Sequence, residues 1–184
     1  NQHTNWSGNT QTGSFLYKDV TGNFMAISKV YCAPDKNQES CGLMVYSDSD
    51  NWFQEVYKWR KYGNNGGTMM DYKQRQGGTT ANDAHMGLNS VPLWIKITRH
   101  VNTWYVYFGN SGSGGTIFTE QTHFDWALPD TVRVGMIVYD GLEAGVNFRA
   151  DFDYINITRY MDYGNMTVGP IVTQFPVTHV KMNQ

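Results

Sequence analysis

Aromatic and hydrogen-bonding side chains recur along this sequence in a pattern that suits contact with sugars. Trp and Tyr rings offer flat apolar platforms for the C–H faces of a sugar, while carboxylate, amide and guanidinium groups bond its hydroxyls in fixed geometry. Neighbouring strands of a sheet would bring such groups onto one surface. The candidate ligand-binding residues are Glu55, Tyr57, Trp59, Tyr72, Arg75, Tyr105 and Tyr107.

Strand periodicity predicts which of these residues face outward, because successive side chains of a strand point to opposite faces of the sheet. Between positions 103 and 108, Trp104, Val106 and Phe108 form the apolar set and are predicted to lie in the core. Tyr105 and Tyr107 are therefore expected to face solvent.

The segment from position 52 to 60 is harder to orient, since both of its alternate sets mix rings with polar groups. We take the set with Glu55, Tyr57 and Trp59 as the ligand-facing one, provided that this strand lies in a curved, ligand-binding sheet. The alternative is that these rings fill the space between two sheets. The opposite set comprises Trp52, Gln54, Val56, Lys58 and Arg60.

Short segments of alternating or β-branched residues recur along the chain, with turn residues between them and no long amphipathic helix. Strands at this spacing indicate an all-β, antiparallel two-sheet sandwich. One pair of segments, 93–99 and 103–108, predicts a hairpin in which Arg99 and His100 are ordinary turn residues. Residues 1–160 are expected to form the sandwich, and 161–184 a tail that packs on it or leads to another module.

The overall composition excludes several classes of protein. With 14 basic and 16 acidic residues the formal charge is −2, which does not favour sequence-independent binding of nucleic acid. No apolar run approaches the roughly 18 residues of a membrane-spanning helix. Aromatic residues make up 15% of the chain, a share typical of strand-and-turn proteins.

The two cysteines, Cys32 and Cys41, lie at the facing ends of consecutive apolar segments. They are predicted to form a disulfide that joins the ends of a hairpin; the alternative is a pair of free, buried thiols. A disulfide implies an oxidising compartment and hence a secreted, extracellular location. Because the chain begins at Asn1 without Met, we interpret it as a mature protein or an excised domain.

Acidic residues in two places raise the question of a metal. Asp48 and Asp50 share one turn, and Asp151 and Asp153 alternate near the end of the predicted sandwich. Oxygen-rich loops hold Ca²⁺ through about six to eight oxygen ligands, although Asp is also frequent in turns for backbone reasons. A structural Ca²⁺ is left open, with no ligands assigned, and no other cofactor is assigned.

Several motifs follow one another in the order found in a known family. They are Val20-Thr21-Gly22-Asn23-Phe24, Cys41-Gly42-Leu43-Met44-Val45-Tyr46, Asn102-Thr103-Trp104, Leu128-Pro129-Asp130 and Val132-Arg133-Val134-Gly135. The sequence thereby resembles concanavalin A-like domains, and most closely the laminin-G-like jelly roll appended to bacterial glycosidases. This resemblance implies a jelly roll whose concave outer face would, as in related lectin-like modules, carry sugar.

Some members of this superfamily are enzymes, which gives an alternative function. Similar glucanases carry acids paired on one strand, close to Glu-x-Asp-x-x-Glu, because two carboxylates divide the acid and nucleophile roles. Here the strand offers Glu55 alone, unless Asp71 approaches it from a neighbouring strand. We find none of the strand motifs of jelly-roll lyases. No catalytic residue is assigned, and a polysaccharide hydrolase or lyase is kept as an alternative.

The sequence therefore predicts a non-catalytic carbohydrate-binding module, part of a larger extracellular protein, that binds a polysaccharide or glycan on its concave sheet. Neither nucleic acid nor membrane insertion is expected. The alternative from another class is an adhesin or surface domain that binds a peptide or protein with the same face. Sugar sites space aromatic rings about one sugar apart, whereas peptide sites favour a deeper pocket or an exposed strand edge.

Overall fold

The computed structural model describes residues 6–7, 10–11, 13–62, 65–87, 93–109, 117–140, 148–163 and 166–175. Within these ranges the chain forms strands, turns and irregular connections. None of the described segments is a helix long and apolar enough to cross a membrane.

Two six-stranded antiparallel sheets make up the fold. In spatial order the front sheet contains β3 (Ser14–Thr21), β12 (Thr131–Tyr139), β5 (Ser40–Asp48), β6 (Asn51–Tyr62), β7 (Asn65–Gln76) and β8 (Thr79–Gly87). The back sheet contains β11 (Thr119–Asp125), β10 (Thr103–Gly109), β9 (Leu93–His100), β4 (Asn23–Cys32), β13 (Ala150–Tyr163) and β14 (Met166–Phe175). Two short strands, β1 (Trp6–Ser7) and β2 (Thr10–Gln11), pair with each other. The predicted all-β, antiparallel two-sheet jelly roll is confirmed.

Alternating burial shows how the sequence forms these strands. Along β4, Phe24, Ala26, Ser28 and Val30 are buried, while the residues that alternate with them are half-buried. A period of two with one apolar set is what a strand needs to cover a core on one face. The hairpin of β9 and β10 follows the same rule, with Thr103 paired to His100, and this predicted hairpin is confirmed.

Aromatic rings fill the centre of the core between the sheets. The ring centroid of Phe53 on the front sheet lies 5.1 Å from that of Trp104 on the back sheet, at an interplanar angle of 73°. Phe24 meets Trp104 edge-on at 5.9 Å, and the indole Nε1 of Trp104 donates to the carbonyl of Trp126. Edge-to-face contacts with a satisfied indole are the arrangement that buried aromatic groups prefer.

The disulfide between Cys32 and Cys41 is present, but its role differs from the prediction. Cys32 ends β4 in the back sheet and Cys41 lies in β5 of the front sheet. The bond therefore links the two sheets instead of closing a hairpin. Since the sheets face each other, both sulfurs must point into the space between them.

Arg99 was expected to be an ordinary turn residue, and this expectation is wrong. Its side chain is buried at one end of the sandwich, with the guanidinium 4.9 Å from the ring centroid of Trp104. Nε donates to the carbonyl of Val101, and the two terminal nitrogens donate to those of Leu128, Pro129 and Asp130. Arg99 thus fixes the connection from β11 to β12 onto the β9–β10 hairpin. His100 is exposed.

The tail of the chain contributes an edge strand. β13 extends to Tyr163, beyond the expected boundary at position 160, and β14 pairs antiparallel with it. Residues 176–184 lie outside the described part of the chain. The division of the chain into domains stays a prediction.

Candidate functional site

The structure separates the seven candidate residues into different places. Glu55, Tyr57 and Tyr72 point into the core between the sheets, where they are almost fully buried. A ligand on the outer surface of the front sheet could not reach them. The expectation that they share a ligand-binding groove is therefore wrong.

The wrong orientation of β6 has a simple cause, because pairing register ties its facing to that of β5. Cys41 must point inward to reach Cys32 in the other sheet, and Cys41 lies opposite Tyr57 across the strand pair. Leu43 lies opposite Glu55 on the same face. Directly paired residues share one face of a sheet, so the disulfide together with the hairpin register could have revealed this orientation.

Glu55 is a carboxyl group in an apolar environment. Neither of its oxygens has a hydrogen-bond partner in the described part of the chain. Burial, reinforced by the charge of Asp71, raises the pKa of Glu55 well above its usual value. Burial, followed by the charge of Glu55, likewise raises the pKa of the paired Tyr72. Burial of Glu55 therefore favours its neutral form over the carboxylate.

Glu55 and Asp71 do not form the acid pair that a glycosidase needs. Asp71 pairs with Val56, whereas Glu55 pairs with Tyr72, so the two carboxyls lie on opposite faces of the front sheet. One substrate could not contact both of them. The suggested catalytic pair across neighbouring strands is wrong.

Trp59 and Arg75 lie away from the other candidates. Trp59 is half-buried near the end of β6, where a Cβ on Gly66 would overlap its indole. Arg75 is buried on the outer face of the front sheet, with Nη2 3.5 Å from the Asp50 carboxylate. These two side chains form no common surface with Tyr105 and Tyr107, which belong to the back sheet.

The outer face of the front sheet instead carries a polar network on β6, β7 and β8, formed by Lys58, Arg60, Asp71 and His85. Lys58 Nζ donates to Asp71 Oδ2 at 3.0 Å, and His85 Nδ1 contacts Asp71 Oδ1. Arg60 Nη1 lies 2.6 Å from His85 Nε2. A guanidinium can only donate, so Nε2 is the acceptor and the imidazole proton lies on Nδ1, toward Asp71.

Beside this polar network, Tyr139 of β12 extends the hydrogen bonding across the face. Its hydroxyl accepts from Gln54 Nε2 at 2.8 Å. Burial of Lys58 by itself lowers the pKa of that amine, but the fields of Tyr139 and Asp71 outweigh it, so the pKa lies above its usual value. The charged form of Lys58 is therefore well stabilised despite being buried.

Apolar residues occupy the middle of this same outer face and are also buried. Met44, Trp52, Val56, Ile137 and Tyr139 form a second hydrophobic cluster, separate from the main core. At the β3 edge the surface opens, where Tyr17 is 47% exposed and the Arg133 guanidinium lies 4.9 Å from its ring centroid. The central outer face is thus a second packed layer, and only its margins are accessible.

The outer face of the back sheet presents a strip of rings, Tyr105, Tyr107 and His123, which we call the aromatic strip. The two tyrosine rings are nearly parallel, at 13°, with centroids 6.4 Å apart. The imidazole of His123 on β11 lies 5.8 Å from Tyr105. Both tyrosines are half-exposed and His123 is exposed. Their predicted outward orientation agrees with the structure; a role in binding stays a prediction.

Charged and polar groups flank the aromatic strip. Lys96 Nζ lies 3.9 Å from the ring centroid of Tyr107 and 4.4 Å from that of Phe118. The carboxylate of Glu120 lies beside His123, with Oε1 2.7 Å from the imidazole Nδ1. Burial lowers the pKa of Lys96. The strip therefore combines apolar faces with an ammonium and a carboxylate at its margin, which suits a hydroxylated ligand.

The acidic residues considered for calcium are engaged with donors of the chain itself. Asp48 accepts from the backbone N–H of Asp50 and from the amide of Asn51. Asp151 forms two hydrogen bonds with Arg149, and Asp153 pairs with Lys29. Among the described residues no three acidic, histidine or cysteine side chains converge as a metal site would require.

Comparison with known proteins places this geometry in a family. Residues 7–158 match the sequence model of the family described as the β-xylosidase C-terminal concanavalin A-like domain. That match covers well over half of the chain. The chain belongs to this family. The concanavalin A-like resemblance is thereby confirmed.

Solved structures agree with the fold of this concanavalin A-like domain. A functionally unknown protein from Saccharomyces cerevisiae superposes with a TM-score of 0.70 at 14% identity, over 83% of this chain and 78% of its own. A xylan β-1,4-xylosidase from Bacillus halodurans C-125 gives 0.69 at 19% identity, over 84% of this chain and 31% of its own. Xenopus laevis galectin-Ib gives 0.51 at 10% identity, over 79% and 98%.

These matches cover different shares of the solved proteins. This chain matches only about a third of the Bacillus halodurans xylosidase, so the shared fold occurs there as one part of a larger chain. No curated protein matches the sequence.

Proposed function

We propose that this concanavalin A-like domain is a non-catalytic, glycan-binding part of an extracellular glycoside hydrolase, and that the aromatic strip contacts the polysaccharide. The observation that carries the proposal is the pair of nearly parallel, half-exposed tyrosine rings 6.4 Å apart on the back sheet. Rings at adjacent outward positions of one strand can contact consecutive sugars of a chain.

The polar margin of the strip supports a sugar over a purely apolar ligand. Glu120, Lys96 and the outward Thr98, which pairs with Tyr105, lie around the rings. Carboxylate, ammonium and hydroxyl groups next to ring faces match the alternating hydroxyls and C–H faces of a sugar. A flat, open arrangement also suits a chain that lies along the surface better than an enclosed small molecule.

The substrate class follows from the family. Its name refers to β-xylosidases, and the Bacillus halodurans relative is a xylan β-1,4-xylosidase. We therefore propose xylan, or a glycan built from similar β-linked pentoses, as the polysaccharide partner. The rest of the protein would supply the catalytic domain.

The inter-sheet disulfide supports the extracellular part of the proposal. Structural disulfides persist in oxidising compartments and are rare in the cytosol. The bond between Cys32 and Cys41 links the two halves of the fold, where it would stabilise a protein exposed to a variable environment.

Affinity electrophoresis in gels that contain soluble xylan, arabinan, β-glucan or no polysaccharide tests the proposal. We expect retardation by xylan, and its loss in the double variant Tyr105→Ala/Tyr107→Ala. Tyr17→Ala is the matched control, because Tyr17 is an exposed ring on the other sheet; it should be retarded like the wild type. Migration unaffected by every polysaccharide would contradict glycan binding, and release of reducing ends from xylan would contradict the non-catalytic assignment.

A further inference from the structure

One end of the sandwich carries an open pocket, with both polar and apolar lining, that is separate from the aromatic strip. It has a volume of about 430 Å³ and lies where the β3–β4 turn, the β9–β10 turn and the connection between β11 and β12 meet. We call it the end pocket. The lining residues used below are Asn23, Arg99, Val101, Asn102, Asp130 and Tyr160.

The floor of the end pocket is rigid because Arg99 organises it. Its guanidinium is buried, lies against the ring of Trp104 and bonds four backbone carbonyls of the surrounding turns. Asn23 adds a further restraint, since its Oδ1 accepts from the backbone N–H of Val101 at 2.6 Å. Three connections are thereby held in fixed positions before any ligand arrives, which is the condition for specific binding.

Val101 at the rim has a strained backbone conformation, which its bonds to Asn23 and Arg99 hold in place. Its φ is +57°, in the left-handed region that β-branched residues avoid, and its side chain is 56% exposed. Gly or Asn would adopt this turn position without strain. Strained backbone persists where the surroundings determine it, and such residues cluster at ligand sites. The exposed isopropyl group of Val101, kept at a strained position, is therefore suited to an apolar contact with a ligand.

The chemistry of the end pocket fits a neutral, hydroxylated ring. Arg99 and Asp130 are the two charged residues of the lining and have opposite signs, so the lining has no formal net charge and favours neither an anion nor a cation. The amide of Asn102 and the carboxylate of Asp130 offer a donor and acceptors for hydroxyls. Tyr160 and Val101 supply the apolar faces, and the volume lies near the lower end of about 300–1,000 Å³ for small-molecule sites.

We infer that the end pocket binds a single terminal sugar residue of the glycan, as a second site in addition to the aromatic strip. The choice of a sugar as ligand rests on the proposed function. The strip is open and would contact the length of a chain, whereas the end pocket is concave and would accept only a chain end. Together the two sites would distinguish a free chain end from the middle of a polymer.

NMR titration of the ¹⁵N-labelled domain with D-xylose and xylobiose tests this inference. Backbone amide shifts should concentrate at Val101, Asn102 and Asp130. We expect Val101→Gly to weaken xylobiose binding about five-fold or more while raising the thermal midpoint, because it removes both the apolar contact and the strain. A residue with only a structural role would not lose affinity as it gains stability. Asp130→Asn should weaken binding without that gain.

The failure of this inference can be told apart from failure of the proposed function. If xylobiose shifts only the amides around Tyr105, Tyr107 and His123, the strip binds glycan and the end pocket does not. Binding by Val101→Gly and Asp130→Asn equal to the wild type would also overturn the inference. Tyr17→Ala serves as the control variant and should reproduce the wild-type shifts.

Discussion

The strands of both sheets alternate between inward and outward side chains, yet the two outer faces differ in exposure. On the front sheet the side chains that point away from the core are buried again, in a second cluster around Trp52 and Val56 and in the polar network around Asp71. On the back sheet the corresponding positions hold half-exposed rings, Tyr105 and Tyr107, with Lys96 beside them.

This difference separates the parts of the molecule that hold it together from the parts that can meet a partner. The polar groups of the front face already interact with one another, since Asp71 is bound by Lys58 and contacted by His85. Groups of the aromatic strip leave ring surface available to a ligand. The front face is therefore expected to govern stability, and the back face to govern binding.

The largest difference in stability is expected between a variant that lacks a ring of the front face and one that lacks a ring of the back face. Trp52 is fully buried, so we expect Trp52→Ala to lower the free energy of unfolding by about 3–5 kcal/mol. Tyr105→Ala removes a half-exposed ring and should cost less than about 1 kcal/mol. Urea denaturation followed by tryptophan fluorescence measures both. Equal losses would contradict the contrast between the faces.

A comparison of two ion pairs sharpens the same contrast. Lys58→Met leaves the carboxylate of Asp71 buried without its ammonium partner, which should cost about 3–5 kcal/mol. The pair of Lys29 with Asp153 on the back face is partly exposed, and Lys29→Met should cost less than about 1 kcal/mol. The measurement is chemical denaturation at low and high salt. A salt-sensitive Lys58 pair would show that the front face is open to solvent.

Glu55 provides a smaller, pH-dependent effect inside the core. Its pKa is raised by burial and then by the charge of Asp71, so folding is favoured while the group is protonated. Below the usual carboxyl pKa this contribution is fully present. As pH rises toward the raised pKa of the folded state, it is lost.

Glu55→Gln should therefore remove part of the decline in stability above about pH 4.5, and stabilise the domain at pH 8 by about 1–3 kcal/mol. Denaturant titrations of both proteins between pH 4 and pH 8 provide the test. Parallel stability profiles for the variant and the wild type would contradict a neutral, buried Glu55.

Much of the fold could be predicted from the sequence because alternation is a local signal. Trp104, Val106 and Phe108 face the core, as their spacing indicates, and the outward orientation of Tyr105 and Tyr107 follows from it. The same alternation does not predict which residues of the front sheet face the core. Since both faces of β6 are buried, its two sets of residues mix rings and polar groups, and alternation alone could not choose between them.

Other features depend on contacts between distant parts of the chain. The polar network joins Lys58, Asp71 and His85 from three strands, and no spacing in the sequence brings them together. Arg99 owes its burial to carbonyls about thirty positions away, those of Leu128 and Pro129. The disulfide is a long-range contact that the sequence does indicate. A bond between the two sheets points Cys41 inward, and the pairing of Cys41 with Tyr57 then fixes the orientation of β6.

The most direct test of the account is calorimetric titration with xylohexaose of the wild type, Tyr105→Ala/Tyr107→Ala and Tyr17→Ala. Because the proposed site lies on the back sheet, the double variant should bind at least about ten-fold more weakly, equivalent to about 1.4 kcal/mol. Its thermal midpoint should stay close to that of the wild type, and Tyr17→Ala should bind normally. Undiminished binding by the double variant, or a loss confined to Tyr17→Ala, would contradict the assignment of glycan binding to the aromatic strip.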